Sequence, residues 1–208
     1  MNNSKLNRLV KVSLLGVIGF LLMFMEFAIP IFPSFLKIDI SDLPALIGAF
    51  ALGPGAGIAI EFLKNVLHGI FDGTTGFVGE LANFAVGSVL VFTAGYMYNR
   101  NKTKKTAIIG LGTATVTMSI AAALLNYFIL LPLYEKLFKF PISAMVAAAG
   151  KLNSIVTDLT TFVLFVIVPF NLLKGIALTI LTLVLYKSVS PLLKQEHSKF
   201  SKSEKAKI

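Results

Sequence analysis

Residues Val163 to Tyr186 hold a single charged side chain, Lys174, within a run long enough to cross a bilayer. Hydrocarbon offers no hydrogen bonds, so a spanning backbone must satisfy its own N–H and C=O groups, in a helix or a closed barrel. Further apolar stretches of about 20 residues recur along the chain, a length that suits helices rather than barrel strands. Charged residues make up 14% of the sequence, against about a quarter in a soluble domain. The chain therefore reads as an all-α integral membrane protein. Its 208 residues divide into one helical membrane domain over 1–190 and a lysine-rich tail over 191–208, too polar to pack a core.

The clear spans are roughly 9–28, 78–98, 106–132 and 163–187. The first is preceded by basic residues. Glu26 and Pro30 follow it in place of a small-residue cleavage site, so it reads as a retained helix rather than a signal peptide. The stretch 42–71 is harder. As one helix it would put the basic loop Arg100, Lys102, Lys104, Lys105 across the membrane from the basic N-terminus, against the positive-inside rule. Gly53-Pro54-Gly55 resolves this, because proline restricts the residue before it and glycine supplies turn conformations. A short second helix over about 42–53 and a third over about 55–71 give six transmembrane helices with both termini cytoplasmic. On that topology 13 of the 19 cations lie on the cytoplasmic side, and eight of the ten carboxylates lie in the outer half. The net charge of +9 thus belongs to short segments flanking apolar spans, which argues for lipid and against nucleic acid. The outer connections are 29–41, rich in proline and phenylalanine, and 133–162, whose Ala144–Ala149 stretch suggests a helix against the outer surface.

The parts of common catalytic machinery are missing. Gly150-Lys151 is followed by Leu152 and lacks the preceding glycine of a phosphate-binding loop. His68 has no second histidine at ligand spacing, and no Gly-x-Ser-x-Gly elbow accompanies it, so neither a metal site nor a nucleophile is indicated. Cysteine is absent. The chain does not read as an enzyme.

Polar residues gather instead in the outer half: Asp39 and Asp42 before helix two, Lys64, Asn65 and His68 in helix three, Glu80 and Asn83 in helix four, Asn126 and Tyr127 in helix five, Asn171 and Lys174 in helix six. Each also has a structural explanation. Asp42 and Glu80 could cap helices. Lys64 could pair with Glu61 or snorkel, and Lys174 could pair with Glu80 or Asp158. The asparagines could bond between helices, and Tyr127 could sit in an interfacial belt. Taken together, two asparagines and a lysine among Phe and Leu side chains suit a flat heterocycle with alternating donors and acceptors.

Several blocks resemble a known family. These are Phe35-Leu36-Lys37-Ile38-Asp39-Ile40-Ser41-Asp42-Leu43-Pro44, Phe50-Ala51-Leu52-Gly53-Pro54, Lys64-Asn65, Asn83-Phe84, Leu125-Asn126-Tyr127-Phe128 through Leu131-Pro132-Leu133-Tyr134, and Pro169-Phe170-Asn171-Leu172-Leu173-Lys174-Gly175. Across about 10–187 they resemble the riboflavin-specific substrate-binding subunit (S-component) of energy-coupling factor (ECF) transporters. The resemblance implies six helices, cytoplasmic termini, an outward-facing riboflavin site and no cofactor. It implies that Asn126, Asn171 and Lys174 hydrogen-bond the vitamin and that the loop of Phe35, Leu36 and Asp39 closes over it. Asn83 and Tyr127 join the candidate set from the outer constellation. The implied partners are a transmembrane coupling subunit and two cytosolic ATPases in the bacterial plasma membrane. The family's Ala-x-x-x-Ala face toward the coupling subunit corresponds here to Ser13 and Val17, with Gly16 and Phe20 beside them; Val17 is larger than that pattern wants. Rival readings are a subunit for thiamin, biotin or pantothenate, a proton-coupled secondary transporter using Glu61 or Glu80, and a scaffold without a ligand.

Overall fold

The computed structural model describes residues 3–73 and 75–185. The tail expected over 191–208 lies outside the described residues. The described chain is a helical bundle: α1 (Asn3–Met23), α2 (Leu43–Leu52), α3 (Pro54–Phe71), α4 (Val78–Arg100), α5 (Lys104–Phe138), α6 (Ile142–Gly150) and α7 (Leu159–Leu185). Between α1 and α2 a two-stranded antiparallel hairpin pairs Phe27 with Ile38 and Ala28 with Lys37, forming β1 (Phe27–Ala28) and β2 (Lys37–Ile38). By length and composition four helices can cross a membrane, namely α1 from Lys5, α4, α5 and α7. The six-span expectation goes beyond this: α2 has only 10 residues, and α3 buries Glu61, Lys64, Asn65 and His68.

The break between α2 and α3 falls at Gly53, as Gly53-Pro54 suggests. Gly53 adopts φ 101°, a conformation open to glycine, and Pro54 opens α3 without needing an N–H partner. The first helix begins and ends earlier than expected. It ends at Met23 rather than near 28, because Pro30 and Pro33 commit the following chain to a loop and Phe27–Ala28 pairs with β2 instead.

The fifth helix is longer than expected, and the reason lies in proline. Pro132 has no N–H and its ring would clash with the carbonyl of Phe128 in a regular helix. A π-turn over Asn126–Leu130, closed by the Leu131 N–H onto the Asn126 carbonyl, absorbs the misfit and lets α5 continue to Phe138. Pro169 in α7 is preceded in the same way by a π-turn over Val163–Ile167. Asp158 starts α7 with a capping box: its carboxylate accepts the Thr161 N–H at 2.8 Å, and the Thr161 hydroxyl receives the Asp158 N–H at 2.9 Å.

Packing divides into two apolar clusters. The first joins α2 to α3, α4 and α5 around Leu46, Phe50, Ile60, Leu90 and Leu111, with Phe50 stacked on Tyr98 at 4.4 Å between ring centroids. Small residues permit this closeness. A Cβ on Gly95 would lie 2.8 Å from the Cβ of Ala49 and 3.3 Å from the backbone of Pro54, the close approach that stabilises helix contacts in lipid. The second cluster joins the 29–38 loop to α5, α6 and α7. The helix α6 contributes its buried Met145, Val146 and Ala149 to it. The expected helix of the 133–162 connection is therefore present, but its apolar face packs on protein.

Candidate functional site

A cavity of about 380 Å³ lies among the 35–42 loop, α4, α5, α6 and α7. Its walls are apolar, with Phe35, Leu36, Met118, Ile167 and Phe170. Its polar residues are Asp39, Asp42, Asn83, Asn126, Asn171 and Lys174, with Lys37, Thr75 and Tyr134. The volume falls within the range of small-molecule sites, about 300–1,000 Å³, and so does the ratio of many apolar walls to few placed polar atoms.

Local structure determines what each polar group offers. The Asn126 Nδ2 donates to the Ala122 carbonyl at 2.8 Å, and the Asn171 Nδ2 donates to the Ile167 carbonyl at 2.9 Å. One amide hydrogen of each is used to fix the rotamer. The side-chain carbonyl and the second hydrogen remain, an acceptor and a donor from each residue. Both residues lie in helix segments that the π-turns re-aim: Asn126 opens one turn, and Asn171 bonds to the last residue of the other. The Asn83 Oδ1 is buried and accepts no hydrogen bond from the protein. A buried acceptor of this kind is costly unless something else satisfies it.

Lys174 is the centre of charge. Its Nζ donates to Asp39 Oδ2 at 3.1 Å and lies 3.0 Å from Asp42 Oδ2. The expected partners Glu80 and Asp158 are engaged elsewhere. Glu80 takes His68 Nδ1 at 2.9 Å and the Thr75 hydroxyl at 2.5 Å, and Asp158 caps α7. Asp42 stands at the start of α2 but makes no side-chain cap bond, because its carboxylate is taken by Lys174 and by Lys64. Lys64 is fully buried and pairs with Asp42 and with Glu61, so it does not snorkel. The ammonium of Lys174 thus ties the 35–42 loop to α7 across 135 residues of sequence. The turn at Asp39 is fixed locally by the Ser41 N–H donating to Asp39 Oδ1 at 2.8 Å.

Of the residues expected at the ligand site, Phe35, Leu36, Asp39, Asn83, Asn126, Asn171 and Lys174 line the cavity. Tyr127 is not among the lining residues; its ring packs edge-on against Phe128 and onto the second apolar cluster. Sequence reasoning missed Met145 and Phe140, which the α6 connection brings to the cavity wall. No spacing signal marks them, since Phe140 comes from the α5–α6 connection and Met145 from α6, both outside the expected spans. On α1, Ser13 and Val17 are exposed one turn apart, and Phe20 rests on Phe24 and Phe71. Gly16 departs from the expected partner face. It is buried against α3, and a Cβ there would lie 2.6 Å from Leu63 Cδ2. Among the described residues His68, Asp72 and Glu80 place ligand-type atoms within 4.8 Å of one another. The hydrogen-bonded His68–Glu80 pair accounts for two of the three.

Comparison with known proteins places this architecture. Residues 7–186 match the family model for the ECF transporter, substrate-specific component. The riboflavin transporter RibU of Staphylococcus aureus is 36% identical over 195 residues, which cover 94% of this chain and 96% of that protein. The riboflavin transporter FmnP of Bacillus subtilis is 35% identical over 196 residues, 93% of this chain and 97% of that one. A solved structure, described as the S component of a bacterial ECF transporter, superposes with a TM-score of 0.72 at 35% identity over 91% of this chain and 99% of its own. With the family model spanning nearly all described residues and the fold superposing, the chain belongs to the substrate-specific components of ECF transporters.

Proposed function

We propose that this protein is a riboflavin-binding S-component that captures the vitamin outside the cell and delivers it inward. The observation that carries this reading is the cavity in which three asparagines and the Lys174 ammonium meet between aromatic and aliphatic walls. A flavin ring presents alternating donors and acceptors along one edge and a broad apolar face, the complement of that lining. Relatives named as riboflavin transporters match over nearly the whole chain, and theirs is a transport function rather than catalysis. In this reading Asn126, Asn171 and Lys174 hydrogen-bond the ring, and Asn83 satisfies its buried acceptor on the ligand. The Phe35–Asp39 loop closes over the site, latched by the Asp39–Lys174 pair.

The bundle spans the bacterial plasma membrane six times, with both termini cytoplasmic and the cavity facing out. Its short α2 and polar α3 are shielded by neighbouring helices. Delivery requires reorientation with a transmembrane coupling subunit and two cytosolic ATPases, contacted through the exposed Ser13 and Val17 face of α1.

The test is the absorption spectrum of detergent-purified protein from cells grown with riboflavin. A flavin spectrum that survives desalting is the expected outcome. A colourless, folded protein that also fails to quench added riboflavin fluorescence would overturn the assignment and direct titration to other vitamins.

A further inference from the structure

Behind the cavity lies a buried ion pair, Lys64–Glu61, that the proposed binding site does not use. Lys64 and Glu61 are completely buried and do not line the cavity. The Lys64 Nζ donates to the Ser41 hydroxyl at 2.8 Å and to Asp42 Oδ1, and approaches Glu61 Oε2 to 3.0 Å. The other oxygen of Asp42 lies 3.0 Å from Lys174. Asp42 therefore bridges two ammonium groups, one behind the cavity and one in its wall.

Glu61 is the anomaly. Its Oε2 has the Lys64 ammonium 3.0 Å away, while its buried Oε1 has no hydrogen-bond partner among the described residues. On its other side is Gly87 of α4, where a Cβ would fall 2.8 Å from Glu61 Oε2 and 3.3 Å from Asp42 Oδ1. Three carboxylates (Asp39, Asp42, Glu61) face two ammonium groups (Lys64, Lys174). At formal charges the network carries one surplus negative charge. A buried carboxylate with one oxygen left without a partner opposes folding, and an ionisable group at membrane depth points to function.

We propose that Glu61 and Lys64 are positioning residues that set how strongly Lys174 donates to the ligand, acting through Asp42. While Glu61 draws on Lys64, Asp42 leans on Lys174 and neutralises it. With less competition from Glu61, Lys64 holds Asp42 more fully, and Lys174 is freer to donate into the cavity. Hydrogen-bonded charges in low dielectric polarise one another in this way. Glu61 thereby keeps affinity below its maximum, which suits a protein that must release what it captures. The inference rests on the riboflavin reading.

The experiment is riboflavin titration, by fluorescence quenching, of the full chain and its variants in detergent. Glu61→Gln keeps the shape and removes the carboxyl group's pull on Lys64. It is expected to bind riboflavin about three- to tenfold more tightly, within the coupling range of residues that share one ion network. Structural damage does not tighten binding, so the sign separates the two explanations. The second comparison is Lys64→Met/Glu61→Gln against Lys64→Met, where Glu61→Gln is expected to change nothing. Unchanged or weaker binding by Glu61→Gln, or tightening that persists without Lys64, overturns the relay. If the unaltered chain binds no riboflavin, the functional reading fails and the relay fails with it; binding by the unaltered chain without the expected sign defeats the relay alone.

Discussion

Lys174 does two things at once, and its substitution separates them. Its ammonium holds Asp39 and Asp42, which leaves one N–H of three for a ligand. Removing it deletes a charge-assisted bond to the ligand, about 1.5–3 kcal/mol, and frees the loop that Asp39 anchors. Lys174→Ala is therefore expected to weaken riboflavin binding by about tenfold or more, read by fluorescence titration beside a thermal melt. Wild-type affinity in a folded variant would remove Lys174 from the site. Gly87 is sensitive for a different reason. An added methyl group would meet Glu61 and Asp42, so Gly87→Ala is expected to displace the ion network and lower both the melting temperature and the affinity. The sequence signalled Lys174 because a lone charge in an apolar run is conspicuous. It gave no signal for Gly87, since only packing puts that glycine against two carboxylates.

At the scale of elements, two junctions position the site. The α2–α3 break rests on Gly53 at φ 101°. A Cβ there is strained in that conformation, so Gly53→Ala is expected to cost about 1 kcal/mol or more, seen as a lower melting temperature. A variant as stable as wild type would show that the break is not strained. The start of α7 rests on Asp158. The Thr161 backbone N–H bonded to its carboxylate holds the Asp158 pKa below its ordinary value. A depressed carboxylate pKa contributes stability that is present above the unfolded value and lost as pH falls through the folded one. The protection factor at the first turn of α7, exchange measured against the intrinsic rate at each pH, is therefore expected to fall on acidification below the ordinary carboxylate range in the native chain. In Asp158→Ala it should be low throughout, and a cap indifferent to acid would contradict this account. Residues Gly53-Pro54 made the first junction legible. The extension of α5 through Pro132 was not, because proline normally marks a helix boundary and a π-turn absorbs it here.

At the scale of the whole molecule, orientation and partnership are the testable claims. The chain contains no cysteine, so single cysteines can be introduced without background. With the proposed topology, a cysteine at Ile31 is expected to react with an impermeant maleimide applied to intact cells. One at Lys102 should react only after the membrane is opened. The reverse pattern would invert the bundle. In vesicles containing this protein alone, riboflavin is expected to bind without accumulating, with or without a pH gradient. Accumulation driven by a pH gradient would favour a secondary transporter.

The sequence by itself determined the membrane class, the approximate helices and the break at Gly53, because hydrophobic length and proline or glycine chemistry act locally. It also named most of the cavity-lining polar residues, since asparagine and lysine are out of place in apolar helices. Tertiary structure alone decided their partners. Lys174 meets Asp39 and Asp42 rather than Glu80 or Asp158, Gly16 turns toward α3, and α6 folds back to bring Met145 to the cavity. Ion-pair choice and close packing depend on distances between segments far apart in sequence, and those distances exist only once the helices have assembled.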